Sequence, residues 1–550
     1  MPDRCRCAQR RRGRVALRER TREALILAAL LGLAAAVRAQ HWIREDVLFN
    51  DGPEFLRITK AMAARDWGAA LADDYHPLYS FVTLAIKLLV PLPNDGYVFA
   101  AAIVSILSGV ASVLCLYLFV RSAYGAAAAW PAALALAVHP YAVRFSANVQ
   151  SDGLYLALFL ASVAALWGAL RVGTPALAGW AGALAGLAYL TRPEGVGVAL
   201  VGGALGGLRT LRARGLRARW MGWLAALGAG CLVVMAPYLV SIRLETGSWH
   251  LTKKKSLEQV AFLGEEAAAP PAAPAPVALA PASGSRSAPP PSEPAASAPA
   301  PHEPEGQAGS SLRRSVFFGF LSTLASTLRP EILLLLLFGV VSSWGRPGPR
   351  AAFVLAFLGL YLVVLLGLAL HYGYVSRRHA LPPLVLTFGY AALGLPVLGQ
   401  SLVSVGQRLF RAQATPHPRL ALGFGLLCLL APSLGKELRP RDHAGLAERR
   451  AAEWLRAEGL APGPVAASKD RVAYYADAPF VPLRHTPDAG LIADLRARGA
   501  RYLIVEGDGG DGSRAARRAQ EGGLPLLHHV EAGGREAWVY GLGTAKGEGP

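Results

Sequence analysis

Between Asn50 and Tyr79 the chain reads NDGPEFLRITKAMAARDWGAALADDYHPLY, a stretch carrying five carboxylates: Asp51, Glu54, Asp66, Asp73 and Asp74. It follows directly on the first hydrophobic segment, so it lies at or just outside a membrane face. Ionisable groups beside hydrocarbon are costly to desolvate and are retained chiefly where they act. Asp51 and Glu54 are three apart, at the start of a helix that Pro53 is suited to open. One reading makes Asp51 a helix cap and Glu54 a complement to the helix dipole. The other makes one of them a general base, able to take a hydroxyl proton as a new bond forms. Asp73 and Asp74, with His76 two residues on, suit an acceptor-orienting group or a divalent-cation ligand set. The simpler reading of the same residues is an acidic turn before an interfacial helix.

Further along, Asp152 opens an apolar segment as either a cap or a second active-site acid. Arg192, in Thr191-Arg192-Pro193-Glu194, separates two short apolar runs. A guanidinium there must snorkel or pair, and its planar fork suits a phosphate. Arg377-Arg378-His379 forms a second basic group just before another apolar run.

These residues need elements to hold them, and the composition says which. The chain has 550 residues, 53% hydrophobic, with a net charge of +19. Its apolar runs approach bilayer-spanning length, which excludes a soluble enzyme built on one buried core. We read spans at Ala24–Arg38, Tyr97–Val120, Ala126–Val143, Gly153–Leu170, Ala176–Leu190, Gly195–Leu208, Met221–Ile242, Ile332–Ser343, Ala351–His371, Leu381–Gly399 and Leu420–Leu434, about eleven in all. Pro77–Pro91 is apolar but short, and reads as an interfacial or re-entrant helix. The excess of basic residues clusters in short segments such as RTLRARGLRAR (209–219) and GRPGPR (345–350), as membrane topology demands. No nucleic-acid surface is needed to explain it. With the N-terminus inside, Asp51, Asp152, Arg192 and Arg377–His379 all fall on the outer face. The cysteines imply no disulfide framework.

Residues 264–311 are almost wholly Ala, Pro, Ser and Glu, the composition of a disordered external linker. Residues 312–435 then return to membrane character. From 436 to 550 helix-like and strand-like segments alternate: an amphipathic helix at Asp442–Leu460, a strand at Val465–Ser468, a helix at Leu491–Ala500, and strands at Arg501–Glu506 and Glu536–Leu542. This describes a small external α/β module with no phosphate loop, metal-ligand spacing or nucleophile motif. It serves packing or acceptor recognition.

The order of four motifs carries a resemblance: the first-loop acids, His76-Pro77-Leu78-Tyr79, Leu190-Thr191-Arg192-Pro193-Glu194-Gly195, and Arg377-Arg378-His379-Ala380-Leu381-Pro382-Pro383-Leu384. Over roughly Ala24 to Leu434 the chain resembles the PMT-type branch of the GT-C glycosyltransferases (glycosyltransferase family 39-like). That branch includes the dolichyl-phosphate-mannose–protein mannosyltransferases and the bacterial lipid A aminoarabinose transferases. Where the family often has an Asp-Glu or Asp-Asp pair, here Gly52-Pro53 separates Asp51 from Glu54.

The resemblance implies a mainly α, polytopic GT-C membrane fold with a small C-terminal α/β extramembrane domain. It implies a polyprenyl-phosphate-linked sugar donor and an envelope lipid, glycan or protein acceptor. It also maps the family's first-loop catalytic aspartate onto Asp51. The expected site is then Asp51, with Glu54 and Asp152 as further acids, and Asp73, Asp74, His76, Arg192, Arg377 and Arg378 as substrate contacts. No cofactor is expected, though the carboxylates leave a divalent metal open. The expected location is the inner membrane, with the C-terminal domain periplasmic. Two rivals are a lipid flippase, which usually shows inverted repeats and midplane charges, and a non-catalytic scaffold.

Overall fold

A computed structural model describes residues 2–543 except 93–95, 254–304, 345–347, 373–374, 410–417, 438–442, 461–462, 484–489 and 508–510; side chains of 2–17, 214, 305–315, 418 and 511–512 are also left undescribed. The first helix, α1 (Pro2–Ile43), leads into three short ones: α2 (Gly52–Ala63), α3 (Trp67–Ala72) and α4 (Leu78–Leu89). The bundle continues through α5 (Tyr97–Tyr124), α6 (Ala126–Ala137), α7 (Pro140–Ala147), α8 (Asp152–Val172), α9 (Pro175–Tyr189), α10 (Val196–Arg212) and α11 (Arg217–Thr246). Its second part is α12 (Glu305–Leu328), α13 (Pro330–Ser343), α14 (Pro349–Tyr372), α15 (Arg377–Val385), α16 (Phe388–Leu409) and α17 (Pro418–Glu437).

Seven of these helices are long and apolar enough to cross a bilayer, and two bent pairs, α6–α7 and α12–α13, also pass when joined. With the shorter α9 and α10, they occupy the eleven apolar segments read from the sequence. The chain is a multi-pass membrane protein.

Three local expectations need correction. The apolar segment Ala126–Val143 is not one straight span: it bends by 60° where Pro140 starts a new helix. The segment near Ile332 is the second arm of an 89° bend, preceded by α12, whose Glu305 start also overlaps the end of the expected linker. The remainder of that linker, 264–304, lies outside the described residues. The segment Leu381–Gly399 breaks at Leu386–Thr387, so α15 is a short helix of its own rather than the start of a span. The breaks at Pro140 and Pro330 have a local cause. Proline cannot continue the hydrogen-bond ladder of the helix before it, and it favours the first turn of the next. Arg329, just before Pro330, is held at φ +70°, and its guanidinium is fixed by Glu331 and the Pro432 carbonyl.

The helices pack closely because small residues face each other. A methyl group at Gly182 of α9 would meet the Leu227 carbonyl of α11 at 2.0 Å, and one at Gly230 of α11 would meet the Gly179 carbonyl at 2.1 Å. Backbone contact this close needs glycine. One apolar core runs through the bundle from Leu30 to Leu429.

The C-terminal domain is a three-layer α/β unit. Its helices are α18 (Leu446–Ala457), α19 (Asp470–Ala476), α20 (Leu491–Ala497) and α21 (Asp511–Glu521). Its strands are β1 (Val465–Ala467), β2 (Phe480–Pro482), β3 (Tyr502–Glu506), β4 (Leu526–Ala532) and β5 (Arg535–Gly541), in the order β2-β1-β3-β5-β4. The first three strands are parallel, and β3-β5-β4 are antiparallel. Gly533 and Gly534, at φ +63° and +72°, form the tight turn that joins β4 to β5. Helices α18 and α19 bury one face of the sheet, and α20 and α21 the other.

Candidate active site

Pro53 starts α2 and leaves Asp51 at the N-cap position, yet the Asp51 side chain makes no capping bond. Its Oδ2 instead accepts from Nη1 of Arg378 at 2.5 Å. The Tyr75 hydroxyl donates to the same carboxylate; burial, then the Asp51 charge, pushes the Tyr75 pKa well up, so the phenol stays protonated. By contrast, Asp66 does cap its helix, accepting from the Ala69 amide at 2.9 Å. Of the loop acids whose bonds are described, Asp51 is thus the one that gives up a cap to face a cation.

Asp152 behaves the same way at the start of α8. It is buried, and its Oδ1 accepts from Nη1 of Arg192 at 2.6 Å. Arg192 also holds Glu194 at 3.2 Å, and His379 lies 3.7 Å from Glu194. The α9–α10 break exists to present this group. Thr191 to Gly195 leave the helix, and the Tyr361 hydroxyl of α14 donates to the Glu194 carbonyl at 2.8 Å. Burial opposes the Arg192 charge, but Glu194 and Asp152 outweigh it and raise its pKa. Burial likewise opposes the Glu194 charge, but Arg192 and His379 outweigh it and lower its pKa to about 2. The two groups join through Arg378. Burial disfavours its charge, while both Asp152 and Asp51 sustain it and raise its pKa. One layer thus holds Asp51, Tyr75, Arg378, Asp152, Arg192, Glu194 and His379.

Arg377 points elsewhere. Its Nε donates to Ser326 at 3.1 Å, and its guanidinium lies 5.0 Å from the Tyr141 ring. Lys436 sits over the same ring at 4.3 Å. Among the described residues neither cation is in an ion pair, so this neighbouring corner keeps uncompensated positive charge.

The other sequence candidates lie outside this layer. Glu54 and Asp73 are both bound by Arg57 on the surface. Asp74 is exposed. His76 is buried between the Tyr189 and Tyr238 rings, 5.0 Å from each. Among the described residues no three His, Cys, Asp or Glu side chains converge as a metal site.

Sequence reasoning did not single out Lys436, Tyr141 or the C-terminal contacts. Within α19, the Tyr475 hydroxyl accepts from the Leu48 amide at 2.7 Å, and Arg471 donates to the Leu48 carbonyl at 3.2 Å. His443 and Arg449 hold Asp46. The α/β domain therefore fixes both backbone groups of a residue three positions before Asp51. No spacing in the sequence links residue 48 to residue 475, so the contact becomes visible only in three dimensions.

The family model for dolichyl-phosphate-mannose-protein mannosyltransferase matches residues 76–240. A comparison with curated protein sequences gives no match. Among solved structures, the chain is similar to ArnT from Cupriavidus metallidurans bound to undecaprenyl phosphate, with TM-score 0.51, 15% identity, and coverage of 95% of this chain and 98% of that one. The apo state of the same protein gives 0.50 and 16%, with the same coverage. The oligosaccharyltransferase AglB from Archaeoglobus fulgidus, in complex with an inhibitory peptide and a dolichol-phosphate, gives 0.50 and 11%, covering 88% of this chain and 69% of that one. At such identities the likeness is one of fold. Residues 76–240 thus resemble the mannosyltransferase family, and the chain shares its fold with ArnT.

Proposed function

We propose that this chain is a membrane glycosyltransferase that moves a sugar from a polyprenyl-phosphate carrier to an acceptor hydroxyl, inverting the anomeric centre, with Asp51 as the base. The observation that carries this reading is the Asp51 carboxylate, which forgoes its helix cap to pair with Arg378 and Tyr75. The structural neighbours solved with undecaprenyl phosphate and with dolichol-phosphate support a lipid phosphate as the carrier class.

The reaction balances without a cofactor. The acceptor proton passes to the Asp51 carboxylate, and the acceptor oxygen bonds to the anomeric carbon. The bond from that carbon to the phosphate oxygen breaks, and the lipid phosphate leaves with the electron pair. Cations fixed where this charge develops lower the barrier. Arg192 is already neutralised by two carboxylates, so its role is to position α8 against the α9–α10 break. Arg378, and beside it Arg377 with Lys436, are better placed to meet the phosphate. A phosphate competing for Arg378 loosens its hold on Asp51 and frees the base as the donor binds.

We place the reaction at the periplasmic face of the inner membrane. The acceptor is an envelope lipid, glycan or protein. The α/β domain lies on the same side as the site, because α19 grips the Asp51 loop. The test is a purified-protein assay with a labelled polyprenyl-phosphate sugar. Release of lipid phosphate together with sugar transfer supports the proposal. Lipid movement across the bilayer without bond cleavage would instead identify a flippase.

A further inference from the structure

We propose that the opposite end of the bundle holds a second lipid site, one that takes the phosphate headgroup of an anionic glycerophospholipid. Arg171 lies near the end of α8, roughly 29 Å along the helix from Asp152 at 1.5 Å per residue. Around it, between α5, α8, α10 and α14, is an open cavity of about 810 Å³.

Arg171, Arg209, Arg212 and Arg350 line this cavity. Among the described residues, none of the four is in an ion pair. Arg171 donates to the Ser122 carbonyl at 3.0 Å and to its hydroxyl at 3.2 Å. Arg209 donates to the Leu170 carbonyl and stacks 5.0 Å from the Trp220 ring. Arg350 lies 5.0 Å from the Tyr124 ring. At the same end Arg121 does find a carboxylate, on Glu23, so the four arginines are not simply where acids are scarce.

Helix dipoles account for three of the four but not for Arg350. Arg171 complements the C-terminus of α8, and Arg209 and Arg212 that of α10, but Arg350 stands in the first turn of α14, where a positive charge is unfavourable. Four like charges around one cavity repel each other, and an anion between them relieves that repulsion. Guanidinium forks match phosphate oxygens in pairs.

The rest of the lining selects a lipid over a free ion. Trp167, Leu205, Leu208 and Phe353 give the cavity an apolar side. Leu208 and its neighbour Leu211 are exposed on the outer surface of α10, where acyl chains run. Basic pockets between membrane helices recognise anionic headgroups in this way. The site is separate from the Asp51 layer and does not depend on its chemistry.

The test uses the full-length protein in mild detergent, with retained lipid counted by native mass spectrometry. The probes are dioleoyl-phosphatidylglycerol, dioleoyl-phosphatidylcholine and inorganic phosphate. Wild type should retain phosphatidylglycerol in preference to phosphatidylcholine, and inorganic phosphate at equal concentration should not displace it. Arg212→Gln with Arg350→Gln removes the two arginines that hold no described backbone carbonyl. This double variant should bind phosphatidylglycerol about 25-fold more weakly, at about fivefold per arginine. Should it fail to fold, Arg212→Gln alone should give about a fivefold loss. Retention unchanged in a folded variant, equal binding of both lipids, or displacement by inorganic phosphate would overturn the proposal.

Discussion

Replacing Arg192 by Gln removes the cation that Asp152 and Glu194 share. Asp152 and Glu194 lie 2.6 and 3.2 Å from it, and their side chains are only 6% and 25% exposed. Stranding buried charge in this way costs about 3–5 kcal/mol. Asp152→Asn is the informative contrast. It leaves Arg192 still paired with Glu194 and keeps a hydrogen-bonding amide near the guanidinium, so the cost falls to about 1–2 kcal/mol. Thermal melting of both purified variants in one detergent should therefore place Arg192→Gln clearly below Asp152→Asn.

The pH dependence sharpens the contrast. In wild type the Glu194 pKa falls from 4.5 to about 2 on folding. Its contribution is thus fully present above about pH 5 and lost as pH drops toward 2. In Arg192→Gln the main counter-charge to Glu194 is gone, only His379 still opposes burial, and the folded-state Glu194 pKa rises above its unfolded value. The folded variant then holds more protons than the unfolded chain, and its stability rises as pH falls from 7 toward 5. Asp152→Asn melting as low as Arg192→Gln, or the same pH slope in wild type and Arg192→Gln, would refute the assignment of Arg192 as a shared counter-charge.

Three other outcomes follow from particular contacts. Tyr475→Phe leaves the Leu48 amide without its acceptor and loosens the loop before Asp51; kcat should fall about tenfold, with donor KM moving less. Glu54→Gln disturbs only a surface contact with Arg57, so steady-state turnover should stay within about fivefold of wild type. Gly182→Leu forces a side chain into the Leu227 carbonyl, costs at least about 3 kcal/mol, and should abolish the folded fraction seen by size-exclusion chromatography.

The membrane architecture was legible because its signals are local. Apolar runs of near-spanning length mark the membrane helices one by one. The breaks that shape the site were half legible. The proline after Arg192 was visible, but the bend before Pro140 falls inside the apolar run Ala126–Val143, and α12, ahead of Arg329-Pro330-Glu331, was not read as a span arm. The pairing of Asp51 with Arg378 spans more than three hundred residues, so topology could place both on one face without bringing them together. That His76 lies between the Tyr189 and Tyr238 rings could not be read from its acidic neighbours in sequence. In the C-terminal domain, β3 and β5 were readable from their apolar content. The short β2 and the exposed β4 were not, because a three-residue strand and an edge strand carry little periodicity. The grip of α19 on Leu48 had no local signature at all.

The most direct test of the central claim is the turnover of Asp51→Asn on a labelled polyprenyl-phosphate sugar, with melting measured alongside. The amide keeps the size of the side chain but cannot take the acceptor proton. Transfer should fall by about a thousandfold while the melting temperature stays near that of wild type. A folded Asp51→Asn protein that transfers sugar within a few-fold of the wild-type rate would contradict the account.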